Sequence, residues 1–423
     1  MKAIQSKFVF HGVHIPDRKH FAKDVPVEDC APADTLTVSL SQGIGKPSVP
    51  VVAVGDPVKQ GQLIAKAGGA IGSAVHAPVS GTVKSVTDCA IVIENDKKYE
   101  TAYMQPLSDP TPEQIKARIA DAGIVGMGGA GFPTAVKLNP QDPVDTLVVN
   151  GAECEPYLTC DHRIMLEHTA EIAEGARLIA KSLGIATIFI GIEANKPDCI
   201  AAFEAFDFIQ PVILKKQYPV GSEKHLIYAC TGRKVPTGKL PAAVGCIVQN
   251  VATCLAVFEA IRSGKPLIER VLTVAGKAVK TPKNLRVRIG TPLDAVISAC
   301  TLTEDAKKII CGGPMTGAAL KELSRTVTKT TGGIVAMTAD ETDTDAPTPC
   351  LNCGKCADVC PMNLMPMNTA FYTAAGEYDM AAKKGGVLNC IECGACAYIC
   401  PAHRPLIQAI RTAKAEIRKG GNK

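Results

Sequence analysis

"GIVGMGGAGFPTAVKL", residues 123–138, contains a formal G-x-G-x-x-G at Gly126, Gly128 and Gly131. That pattern marks a dinucleotide-binding turn only when a strand precedes it and a helix follows. Here the preceding "TPEQIKARIADAG" (111–123) sets Ile115, Ile119 and Ala122 near helical spacing behind a Thr/Pro opening that suits a helix start. The following "FPTAVKL" puts Pro133 where the first turn of a second helix accepts proline. The order is helix, glycine loop, helix, so the ordinary Rossmann reading fails. The loop can still bring backbone N–H groups to a phosphate or an isoalloxazine edge, with Lys137 as counter-charge. The bland alternative is a tight interhelical turn.

Downstream, "DTLVVNGAECEPYLTCDHR" (145–163) opens with the β-branched stretch "TLVVN", which predicts a buried strand. Its end carries Asn150, Glu153 and Glu155, where an α/β sheet keeps its ligand crevice. One helix is expected through Met165, Leu166, Thr169, Ile172, Ala173, Ala176, Ile179 and Leu183. It leads to a strand "TIFIGIE" (187–193), a helix near 196–206, a strand "PVILKK" (211–216), a helix from Ser222 and a strand "GCIVQN" (245–250). Alternating helices and strands imply a largely parallel sheet.

Toward the end, "CLNCGKCADVCP" (350–361) and "CIECGACAYICP" (390–401) repeat one comb, C-x2-C-x2-C-x3-C-P. Three thiolates two residues apart can wrap three corners of a cubane. In two-cluster ferredoxins the fourth cysteine of each run serves the other cluster. One [4Fe–4S] cluster is therefore expected on Cys350, Cys353, Cys356 and Cys400, and a second on Cys390, Cys393, Cys396 and Cys360. Zinc would favour two C-x2-C pairs separated by a longer loop. The ten other cysteines read as small buried hydrophobes, with Cys154 and Cys160 flanking the proposed site.

At 423 residues the chain suggests two to four domains, and 46% hydrophobic against 21% charged residues is an ordinary globular balance. A net charge of +5 and no Trp argue against nucleic-acid binding. No apolar run reaches the roughly 18 residues a membrane span needs, and the N-terminus lacks the apolar centre of a secretory signal. A cytoplasmic setting with reduced cysteines is expected. Membrane association would come through partner subunits.

At "GMGGAGFPT" and "NGAECEP" the chain resembles the NADH-binding flavoprotein subunit of respiratory complex I, and 218–236 and 245–254 are similar to later flavin-site segments of that family. That resemblance implies a Rossmann-like domain binding non-covalent FMN, with NAD(H) over it. Flavin contacts map onto Gly126, Gly128, Lys137, Asn150, Glu153, Tyr218, Gly221, Glu223 and Asn250. The nicotinamide side maps onto Gly129, Ala130, Phe132 and Glu155, with Gly131 completing the cofactor loop. Met127 departs from that family, which usually has arginine there, and Ser222 replaces one of two adjacent glutamates.

The double comb after "CGGPMTG" (311–317), with "AHRPLIQAIR" behind it, resembles the RnfC family of the Rnf ion-translocating ferredoxin:NAD+ oxidoreductases over nearly the whole chain. "GGAIGSAVHAPVSGTVKSV" (68–86) resembles that family's barrel-sandwich domain, and 270–297 its soluble-ligand-binding β-grasp (SLBB) domain. The implied fold is multidomain α/β. Its expected units are an arm and barrel-sandwich module (1–105), a Rossmann-like FMN/NADH domain (106–265), a β-grasp domain (266–340) and a helical two-cluster ferredoxin-like domain (341–423). The β-grasp unit is expected to pack between flavin and clusters.

The resemblance implies a peripheral subunit on the cytoplasmic face of the membrane, held by membrane subunits and a ferredoxin-like iron–sulfur subunit, with ferredoxin an indirect partner. Hydride would pass directly between NAD(H) and FMN, with no catalytic acid or base, and single electrons would pass to the clusters. The alternatives are a soluble flavin/iron–sulfur reductase, such as a cobalamin reductase, and an electron carrier with a vestigial nucleotide site.

Overall fold

The computed structural model describes residues 1–8, 10–343 and 345–420. Its centre is a five-stranded sheet in the order Ile4–Gln5, Gln210–Leu214, Thr187–Glu193, Thr146–Gly151, Cys246–Asn250, every pair parallel. Thr146–Gly151, Thr187–Glu193 and Cys246–Asn250 are mostly buried runs rich in Val and Ile, as a parallel sheet covered by helices requires. From Thr146–Gly151 the chain steps outward through two strands on one side, then returns to place Cys246–Asn250 on the other. The carboxyl ends of Thr146–Gly151 and Cys246–Asn250 thus diverge at a topological switch point, where open α/β sheets bind ligands.

The glycine loop lies between helix Pro112–Asp121, opened by a Thr111/Gln114 capping box, and the single turn Thr134–Lys137. Helix–loop–helix is therefore the observed order. The single helix expected across 165–183 is instead two, Cys160–Glu167 and Thr169–Leu183, broken at His168 (φ −132°). The Thr169 hydroxyl donates to the Met165 carbonyl at 2.6 Å, a side-chain bond that competes with the helical ladder at the break.

Before this domain stand two small antiparallel sheets, of four strands (Thr35–Ser39, Ala90–Asn95, Gly81–Val86, Pro57–Val58) and three (Val49–Pro50, Leu63–Lys66, Val75–His76). After it comes a mixed six-stranded sheet running from Ala318–Ala319 to Lys283–Arg288 and closed by Val27–Asp29. The N-terminal arm therefore contributes Ile4–Gln5 to the central sheet and Val27–Asp29 to the β-grasp sheet before the barrel-sandwich strands begin. The tail is helical, with Pro366–Ala374, Tyr378–Gly385 and Leu406–Gly420 packed around Ala381, Val387, Leu406, Ile410 and Ala413. No helix among the described residues is long and apolar enough to cross a membrane.

One buried cation joins three of these units beneath the glycine loop. Lys329, 1% exposed, donates to the Ala74 and Gly123 carbonyls, each at 2.7 Å, and to the Ser73 hydroxyl at 3.4 Å. Burial lowers its pKa from 10.5 to about 7. Between those values the unfolded chain holds a proton that the folded chain has released, so this residue's contribution to stability rises with pH through that window. From pH 7 to 9, wild type should gain about 2 kcal/mol relative to Lys329→Met, read as diverging thermal midpoints. Parallel pH profiles for the two proteins would refute this.

Candidate functional site

The switch point opens a cleft whose walls include Gly128, Gly129, Asn150, Glu153, Glu155, Gly221 and Asn250. Its floor is bare backbone: a Cβ at Gly129 would meet nothing within 4 Å, and one at Gly128 would reach only the Asn250 side chain, at 3.2 Å. Asn150 donates to the Gly221 carbonyl at 2.8 Å and accepts from Ala152 N–H at 3.1 Å. Asn250 caps helix Val251–Arg262 and donates from Nδ2 to Asp161 Oδ2 at 2.7 Å.

Glu153 turns the chain out of its strand with a left-handed φ of 46°, a strained conformation that a non-glycine residue holds only when its surroundings over-determine it. Its carboxylate accepts from the Asp161 and His162 N–H groups at 2.7 and 3.3 Å, capping helix Cys160–Glu167, and pairs with buried Lys19 at 3.6 Å. Asp161, at that helix start, has its pKa raised to about 6, by burial first and then by Glu153. Glu155 accepts from the Thr316 hydroxyl and from Met315 N–H (3.2 Å), so loop 312–317 of the β-grasp unit closes one side of the cleft. Burial pushes the Glu155 carboxyl above its usual range.

The remaining residues mapped by resemblance lie around the cleft rather than on its walls. Gly126 donates to the Phe132 carbonyl at 2.9 Å, closing the turn, and Ala130 accepts from Ile44 N–H at 3.2 Å. Gly131, at φ 66°, packs so tightly on Gly43 that no side chain fits. Lys137 is engaged by Glu223 in a 2.5 Å ion pair, which neutralises the expected phosphate counter-charge. Tyr218 stands behind the cleft, and its hydroxyl donates to the Cys393 carbonyl at 2.7 Å.

That last contact leads to the cysteines. Cys360, Cys390, Cys393 and Cys396 line one cavity. Cys350, Cys353, Cys356 and Cys400 line a second. Each cage thus takes three thiols from one comb and the fourth from the other. Burial first, with Cys390 and Cys360 adding, pushes the Cys393 thiol up to about 11. Cys356 is raised by burial first, with Cys400 and Cys350 contributing. Thiols that oppose one another's ionisation in an enclosed cage suit a cationic metal–sulfur group, which reverses that repulsion. The inner cage abuts the central domain through the Tyr218–Cys393 bond and the β-grasp loop as well, since a Cβ on Gly394 would lie 2.7 Å from the Met315 carbonyl. The outer cage faces solvent, with Cys350 and Cys353 exposed.

Family models match in four segments. They are the RnfC barrel sandwich hybrid domain over 8–104, the Nuo51 FMN-binding domain over 119–259, the SLBB domain over 271–319 and a 4Fe-4S dicluster domain over 342–401. The C subunit of the proton-translocating ferredoxin:NAD(+) oxidoreductase complex of Clostridium ljungdahlii is 43% identical, aligned over 97% of this chain and 94% of its own. The chain belongs to the RnfC family. Two other members are similar: the C subunit of the ion-translocating oxidoreductase complex of Rhodobacter capsulatus (42% identical, 98% of this chain and 84% of that one) and that of the Na(+)-translocating complex of Acetobacterium woodii (40%, 97% and 98%). Among solved structures, an NAD+-reducing [NiFe]-hydrogenase in the air-oxidized state shares the fold at TM-score 0.50 and 18% identity, over 76% of this chain and 72% of that one.

Within this RnfC chain, three charged residues in or against the cleft were not foreseen. Lys19 arrives from the N-terminal arm, which has no periodicity to announce it. Asp161 stands in the first turn of helix Cys160–Glu167, a place where an acid is ordinary and carries no signal of a site. Arg270 carried one legible signal: it shares the period-2 face of Leu272 and Val274, an inward position where a charge needs a reason. Its Nη2 donates to the Met127 carbonyl at 2.9 Å, bringing a guanidinium from another unit to the position where arginine is absent.

Proposed function

We propose that the cleft binds FMN and NAD(H) and that the two cysteine cages each hold a [4Fe–4S] cluster, making this chain the nucleotide-oxidising or nucleotide-reducing subunit of an ion-translocating ferredoxin:NAD+ oxidoreductase complex. The observation that carries the reading is the placement of the inner cage directly behind the cleft, with the outer cage at the surface. Bound FMN supplies the conversion between a two-electron hydride and single electrons. The chain's own work is positioning. Gly128 and Gly129 leave room for a planar ring, and Asn150 and Asn250, partners at the ends of adjacent strands, are fixed by bonds to the Gly221 carbonyl and the Asp161 carboxylate. Glu155, held by loop 312–317, borders the nicotinamide side. Tyr218 bridges the cleft wall to Cys393.

This reading divides the chain at 105, 265 and 340, with the arm shared between sheets. It makes the outer cage the exit toward a ferredoxin-like partner subunit and places the chain peripherally, on the cytoplasmic face, held by membrane subunits that move the ion. Anaerobic titration of FMN- and iron-loaded protein with NADH should bleach the flavin band and then produce reduced-cluster signals by electron paramagnetic resonance. A flavin band unmoved by excess NADH would leave only the electron-carrier reading.

A further inference from the structure

Two buried polar atoms of the cleft lack a partner among the described residues, and they have opposite character. Arg270 is 4% exposed, spends Nη2 on the Met127 carbonyl and Nε on the Thr331 carbonyl (3.2 Å), and leaves Nη1 unpaired. Asp161 is 8% exposed, takes Asn250 Nδ2 on one carboxylate oxygen and leaves Oδ1 unpaired. Both side chains line the same cleft. An unpaired guanidinium N–H and an unpaired carboxylate oxygen, both shielded from water, are each costly unless a ligand completes them. A phosphate would satisfy the arginine but would stand against Asp161 and nearby Glu153, both acidic. The complement is a neutral planar edge carrying a carbonyl acceptor beside an N–H donor.

We propose that Arg270 and Asp161 together bind the imide edge of the isoalloxazine ring, Arg270 donating to its C2 carbonyl and Asp161 accepting from its N3–H. The assignment rests on the FMN reading of the cleft and deepens it. It makes the β-grasp unit a contributor to flavin binding. A cation at this edge also favours negative charge on the ring, so Arg270 raises the potential of the bound flavin.

The test uses the full chain with its clusters, stripped of flavin, titrated by fluorescence with FMN, riboflavin and 3-methylriboflavin, which has no N3–H. Arg270→Gln should weaken FMN and riboflavin alike by about 10- to 100-fold, the range of a lost charge-assisted bond, and lower the flavin midpoint potential. Wild type should bind riboflavin about 10-fold more tightly than its 3-methyl analogue, and Asp161→Ala should abolish that preference. Arg270→Lys, which keeps the charge, serves if the glutamine variant fails to fold. Binding of both flavins within about twofold of wild type would overturn the proposal. So would weakening of FMN alone, which would assign the guanidinium to the phosphate. Wild type that binds neither flavin would instead sink the FMN reading itself.

Discussion

Cys396→Ala should leave about four irons per chain instead of about eight, with NADH still bleaching the flavin but electron delivery to a one-electron acceptor at the outer cage reduced at least about 100-fold. Cys396 is 7% exposed and lies among Cys360, Cys390 and Cys393 in the cage nearest the cleft, so its loss removes the step between nucleotide chemistry and the surface. Cys353→Ala, at the exposed outer cage, should likewise lose about four irons but keep NADH-dependent reduction of the inner cluster. Iron assay, flavin absorbance and electron paramagnetic resonance on the two variants give a two-way comparison. The opposite pattern, with Cys353→Ala blocking flavin-to-iron transfer and Cys396→Ala sparing it, would reverse the proposed order of sites.

The second large effect is on stability. Glu153→Ala should destabilise the central domain by about 3–5 kcal/mol, because it leaves the Lys19 charge buried and strips two N–H groups of their acceptor. The side chains of Lys19 and Glu153 are only 6% and 4% exposed, so neither can turn to solvent for compensation. For a unit of this size that corresponds to a drop in thermal midpoint on the order of 10 °C. Glu153→Gln combined with Lys19→Met should recover most of the loss, since the amide oxygen still accepts from Asp161 N–H and no charge is stranded. A midpoint for Glu153→Ala within about 2 °C of wild type would refute the account.

Local pattern carried much of this architecture. "TLVVN", "TIFIGIE" and "GCIVQN" each became a parallel strand, because β-branched runs of that length have few other buried solutions. The helical flanks of the glycine loop were equally legible, since Thr111, Pro112 and Gln114 form a cap from near neighbours alone. The break at His168 was not legible. The apolar spacing continues through it, and only a Thr169 hydroxyl committed to the Met165 carbonyl marks the interruption. For the cleft, the resemblance brought Asn150, Glu153, Glu155 and Asn250 to one place, while the reading of the glycine loop gave Lys137 a free charge that Glu223 neutralises across the fold.

What the sequence alone determined is whatever depends on spacing along one stretch: two four-thiol combs, the glycine turn, the alternation that makes a parallel sheet. Such features are decided by residues within a turn or two of each other, so the chain spells them in order. What only the tertiary structure decided is which distant charges meet in or against one site. Lys19, Asp161 and Arg270 come from three separate stretches, and the electrostatics of a buried site depend on separation in space, which linear order does not record.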